Sequence, residues 1–167
     1  MAANVPRPAP PFSINLPSGK KLPLEQYRGK VVALALVSTT CAHCQQLTQV
    51  LNRIQNDYAG KGVQVVMSAF EQGADKAVAR FISTYRPNYP VGWNPYPEAM
   101  NFLQIPVVTP GYVPKMAFID RKGVIQSQYQ GQDDFFKGNE EQNIRAELDK
   151  LLKAPAKPAA KKTTKKK

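Results

Sequence analysis

The sequence predicts an α/β fold: a central mixed sheet flanked by helices, with an N-terminal β-hairpin extension. Three observations carry that expectation. Val31–Val37 is apolar at every position, which suits a strand covered on both faces. Leu47, Val50, Leu51, Ile54 and Tyr58 then recur at helical spacing, one stripe on a helix over 42–58 stopped by Gly60 and Gly62. Val63–Ala69 is a second apolar run, so strand, helix and strand form a βαβ unit whose two strands run parallel.

The other elements follow in order. Residues 1–11 are rich in proline and read as a flexible, extended lead-in. Phe12–Leu16 alternates apolar and polar residues, Pro17–Lys20 is a turn, and Lys21–Leu24 returns, with Pro23 implying a sheet edge. Leu24–Gly29 is a short helical turn closed by glycine. After Ala69 a helix presents Ala77, Val78, Phe81, Ile82 and Tyr85 on one face. Four prolines break the stretch 86–97 into a short segment and a loop, leading to a brief helix through Ala99–Leu103. Lys115–Asp120 is a third core strand, and Arg121–Gly123 turns it into an antiparallel partner, Val124–Gln130. A last amphipathic helix over 139–153 buries Ile144, Leu148, Leu151 and Leu152. The domain therefore spans 12–153, followed by a disordered lysine-rich tail over 154–167.

A chain of 167 residues suits one domain with a core of its own, so folding needs no disulfide staple. The formal charge of +11 overstates the domain, because seven lysines from Lys153 onward carry most of it and leave +4 without them. Those lysines imply at most weak electrostatic binding of polyanions. With no aromatic or base-reading side chain interleaved, no specific nucleic-acid site is expected. No apolar run reaches the ~20 residues of a membrane span, and the N-terminus lacks the apolar core of a signal peptide. A complete chain would be cytoplasmic; one whose signal had been removed would be extracytoplasmic. A monomer is expected.

The chemistry concentrates at Cys41-Ala-His-Cys44. These are the only two cysteines, and His43 is the only histidine. A strand that ends here and passes directly into a helix puts Cys41 at a helix N-terminus. There the unpaired backbone amides and the helix dipole favour a thiolate. Cys44 lies one turn inside, within reach for closing a disulfide. The pair reads as a redox dithiol.

Four passages carry a resemblance to a known family. They are Phe12-Ser-Ile-Asn-Leu-Pro-Ser-Gly-Lys20, Leu24-Glu-Gln-Tyr-Arg-Gly-Lys-Val-Val32, Ser38-Thr-Thr-Cys-Ala-His-Cys44 and Tyr112-Val-Pro-Lys-Met-Ala-Phe-Ile-Asp-Arg-Lys-Gly123. Over residues 12–152 the chain resembles the thioredoxin fold. More closely, it resembles the TlpA/ResA-like thiol–disulfide oxidoreductases within the redoxin superfamily that also holds the AhpC/TSA proteins. The resemblance implies protein thiols and disulfides as partners and no cofactor. It also implies a cis Val113–Pro114 peptide beside the dithiol. Pro114 lacks an N–H, which leaves the Val113 backbone free to pair with an extended substrate.

The departures are specific. Thioredoxins proper carry a buried acid six residues before the first cysteine, where Ala35 stands. The ResA-like pattern has a glutamate three residues after the second, where Leu47 stands, and Thr40 replaces the usual aromatic before Cys41. Neither usual carboxylate is present to take a proton from Cys44, a task left to water or a distant acid. His43 is expected to stabilise the Cys41 anion, which would place the couple above thioredoxin's roughly −270 mV.

Other readings compete. A peroxiredoxin-like peroxidase would use Cys41 as peroxidatic thiol, but Ser38 and Leu34 stand where that family has threonine and proline. A metal site is not expected, since Cys41, His43 and Cys44 are too close in sequence to supply three of four ligands. A non-catalytic thioredoxin-fold binding protein would account for the absent acid and aromatic, against the intact pair. Phe12, Trp93, Tyr112 and Val113 serve either as an apolar rim for docking or as plain core anchors.

Overall fold

The computed structural model describes residues 4–154. Among these residues eight strands form one sheet: β1 Arg7–Pro8, β2 Ser13–Asn15, β3 Lys21–Pro23, β4 Val31–Val37, β5 Val63–Ala69, β6 Val91–Trp93, β7 Lys115–Ile119 and β8 Val124–Tyr129. Their order across the sheet is β1-β8-β7-β4-β5-β6-β2-β3. The helices are α1 Ala42–Tyr58, α2 Ala74–Tyr85, α3 Tyr96–Phe102 and α4 Glu140–Lys153.

The all-apolar strand lies near the centre, as its composition requires, and all seven of its residues are buried. It pairs parallel with β5 from Val31↔Val63 to Val37↔Ala69 and antiparallel with β7 from Val32↔Ile119 to Leu36↔Lys115. Because side chains alternate along a strand, β4 divides its apolar residues between two cores. Val31, Ala33, Ala35 and Val37 face the layer of α1, α2 and α4, together with Cys44, Leu51, Phe81 and Leu148. Val32, Leu34 and Leu36 face the hairpin and α3, with Phe12, Ile14, Met100 and Phe102. On that helical face α4 lies over β4, while α1, the helix carrying the dithiol, lies over the neighbouring strand β5.

The hairpin β2–β3 joins the sheet through Asn15↔Trp93, with β3 and its Pro23 at the edge. Gly92 is required at that junction: a Cβ there would stand 2.3 Å from the Asn15 carbonyl oxygen.

Two expectations need correction. The lead-in is not simply flexible, because Arg7–Pro8 pairs antiparallel with Val124–Ile125 of β8. Arg7 is only 8% exposed and donates to the Phe102 carbonyl at 3.0 Å and Gln128 Oε1 at 2.8 Å. The long-range partners of one arginine hold this strand, and a two-residue strand has no periodicity to read. The brief helix also begins at Tyr96 rather than Ala99, since Pro97 falls in the first turn, where its missing N–H costs nothing. The lysine-rich tail expected over 154–167 lies outside the described residues apart from Ala154. Among the described residues no helix is long and apolar enough to cross a membrane.

Candidate active site

β4 carries the chain to Ser38, and the turn 38–40 leads into α1. Cys41 is the helix N-cap, extended at φ −86° and ψ 118°, and its Sγ accepts the backbone N–H of Cys44 at 3.1 Å. The sulfur thus takes the capping place usually held by a side-chain oxygen and satisfies one of the amides that a first turn leaves unpaired. Both thiols are free; Cys41 is half-buried and Cys44 fully buried. Burial above all pushes the Cys44 thiol up, assisted by its hydrogen bond with Cys41 and by the charges of Cys41 and Glu71, while the Ser38 backbone opposes the shift. Two sulfurs one turn apart, one reachable and one held protonated in the core, form a dithiol that can act in sequence.

The ring of His43 is directed elsewhere than its position between the cysteines suggests. Nε2 lies 2.5 Å from Glu140 Oε2 at the start of α4, and the ring meets Phe136 edge-on at 5.9 Å. Among the described residues no hydrogen bond joins His43 to Cys41; the bond to the Cys41 sulfur comes from the Cys44 amide. The partner of His43 is 97 residues away in sequence, so nothing local announces it.

The Val113–Pro114 peptide is cis. Continuing the register of β4 with β7 sets Pro114 beside Val37 and Val113 beside Ser38. Val113 packs against both cores. Of the other rim candidates, Phe12 is buried against Phe102, with ring centroids 4.6 Å apart, and Tyr112 is exposed, as are Val107 and Val108 in the same loop.

One residue was not singled out from the sequence. The β4–β5 pairing ends at Val37↔Ala69, and Phe70 donates its N–H to the Val37 carbonyl at 3.0 Å, so residue 71 arrives beside residue 38. Glu71 Oε2 accepts the Thr39 N–H and the Thr39 hydroxyl, both at 2.8 Å, and the Ser38 hydroxyl at 3.2 Å. Its Oε1 is buried and has no hydrogen-bond partner among the described residues. The readable signal was the parallel βαβ unit itself, which brings the C-terminal ends of β4 and β5 together. No group of three or more His, Cys, Asp or Glu side chains among the described residues could hold a metal ion.

A thioredoxin-type sheet with a dithiol capping the helix after its central strand defines a redoxin of the TlpA/ResA-like kind. The chain belongs to the AhpC/TSA family, whose model matches residues 5–128. It is 30% identical over 129 residues to the thioredoxin-like protein YneN of Bacillus subtilis, covering 74% of this chain and 69% of that one. It is 27% identical over 124 residues to the thiol-disulfide oxidoreductase ResA of Bacillus thuringiensis, covering 74% and 68%. A putative thiol:disulfide interchange protein DsbE from Chlorobium tepidum superposes with a TM-score of 0.72 at 25% identity, covering 87% of this chain and 98% of that one.

Proposed function

We propose that this chain is a thiol–disulfide oxidoreductase that exchanges its Cys41–Cys44 dithiol with the disulfides and thiols of protein clients. The observation that carries the reading is the Cys44 N–H bonded to Cys41 Sγ, with Cys44 itself buried one turn behind. Relatives named for thiol–disulfide exchange support it.

In the reducing direction the Cys41 sulfur attacks one sulfur of a client disulfide. The client S–S bond breaks, one client sulfur leaves as a thiolate, and Cys41 is joined to the other. Cys44 then loses its proton and attacks Cys41 Sγ, forming the internal disulfide and releasing the second client thiolate. Two electrons have passed to the client. The oxidising direction reverses each step, and the partner's potential sets which runs. Val113 offers its backbone beside the dithiol to an extended client segment, with Pro114 leaving that edge without a competing N–H. His43 is a supporting residue that ties the first turn of α1 to α4 through Glu140. The monomeric state, and weak polyanion binding by the lysines beyond residue 153, belong to the same reading.

The test is trapping. Cys44→Ser should accumulate mixed disulfides between Cys41 and a disulfide-bearing client such as insulin, visible on non-reducing gels, whereas Cys41→Ser should neither trap nor exchange. Full exchange by both variants would remove these roles.

A further inference from the structure

Cys44 begins exchange as a buried thiol and must lose a proton to attack, yet Ala35 and Leu47 stand where related proteins place a carboxylate. A buried carboxylate oxygen without a partner is costly and calls for a reason, of which a catalytic role is one. Glu71 Oε1 is such an atom, and its carboxylate is fixed to the turn that precedes the dithiol by three hydrogen bonds to the other oxygen.

We propose that Glu71, brought beside Ser38 by the parallel β4–β5 pair, is the proton acceptor for Cys44. The proposal rests on the dithiol reading above and names the residue that completes it. Three donors from Ser38 and Thr39 orient the carboxylate through Oε2 and leave Oε1 as the free base. As Cys44 attacks Cys41 Sγ, its thiol proton passes to Oε1; the Cys41–client bond breaks and the Cys41–Cys44 bond forms. When the disulfide is reduced again, the protonated carboxyl returns the proton to the departing Cys44 sulfur. Burial above all keeps the Cys44 thiol protonated until attack, and the charges of Cys41 and Glu71, the titratable groups that act on it, add to that. An ordinary structural role would need only Oε2, the oxygen that holds the turn.

The experiment separates the two steps of exchange. Reduced full-length protein is mixed with equimolar 5,5′-dithiobis(2-nitrobenzoate), and release of the coloured thiolate is followed by stopped flow. The first phase reports attack by Cys41, and the second reports resolution by Cys44. Glu71→Gln keeps the side-chain shape and an oxygen for the Thr39 amide but cannot take a proton. The first phase should stay within about twofold, while the second slows by about 100-fold at neutral pH, a usual size for a lost general base. In that variant the second phase should gain about tenfold per pH unit as solvent base takes over, while the parent stays flatter. Glu71→Asp, which keeps a carboxylate, should recover part of the loss.

An unchanged second phase in Glu71→Gln would overturn the proposal. So would an equal slowing of both phases with the parent's pH dependence, the mark of a residue that only holds the turn. If the unaltered protein showed no second phase at all, the dithiol reading would fall first and this assignment with it.

Discussion

The backbone N–H of Cys44 donates to the Sγ of Cys41 at 3.1 Å, so the first sulfur caps the helix whose first turn contains the second. The two thiols are thereby made unlike. Cys41 is partly open, and Cys44 is fully buried with its thiol pushed up by that burial.

Alkylation should expose the difference. Iodoacetamide reacts with thiolate, so at neutral pH the native reduced protein should take label on Cys41 at least about tenfold faster than on Cys44. Peptide mass spectrometry reads the ratio, which should collapse in urea. Equal labelling in the native state would contradict the buried resolving thiol.

The His43–Glu140 bond predicts that His43 matters more to packing than to the redox couple. His43→Ala should cost about 1 kcal/mol of stability through the lost bond and the lost edge contact with Phe136. The potential should move by less than about 30 mV, since a larger shift would need more than about 1.4 kcal/mol of difference between the redox states. A change of twice that size would return His43 to the thiolate.

How far the sequence could be read depends on whether a residue's partner is near or far. β4 and α1 were legible because their signals are internal: seven consecutive apolar residues, and a stripe from Leu47 to Tyr58 at helical spacing. The Cys41 cap was legible too, because the strand ends and the helix begins around the motif itself. Arg7, His43 and Glu71 were not. Arg7 is held by Phe102 and Gln128, His43 by Glu140, and Glu71 meets Ser38 and Thr39 only after a whole crossover. Each depends on contacts that no local pattern encodes.

Lys115 gives a stability prediction with a definite sign. It is fully buried beside Pro114, donates to Gln130 Oε1 at 3.0 Å, and is lowered by burial to about 8, against an opposing pull from Asp133. Between pH 8 and the ordinary 10.5 the unfolded chain binds more protons at this site than the folded one, so this group's contribution to stability rises with pH. Its penalty is complete below 8. Lys115→Met should therefore gain up to about 3 kcal/mol on the parent at pH 7, less the lost Gln130 bond, and the gain should shrink toward pH 10.5. Urea unfolding at both ends of the window measures it; a difference independent of pH would contradict the assignment.

Gly131 tests the support behind Val113. A Cβ at residue 131 would lie 2.5 Å from the Val113 carbonyl oxygen and 2.8 Å from its carbonyl carbon. Gly131→Ala must push that backbone aside, at about 1–3 kcal/mol. Insulin reduction should fall under conditions where the variant is still fully folded by circular dichroism. Unaltered stability and unaltered turnover together would show that the segment yields freely and does not position a client.

The most direct measurement is redox equilibration of the Cys41–Cys44 pair in dithiothreitol and glutathione buffers of stepped ratio, with acid quenching, alkylation and intact mass. One reversible two-electron couple within a monomer is expected, following about 30 mV per tenfold change in the equilibrium constant. No intramolecular disulfide at any ratio, or only disulfides between chains, would contradict it.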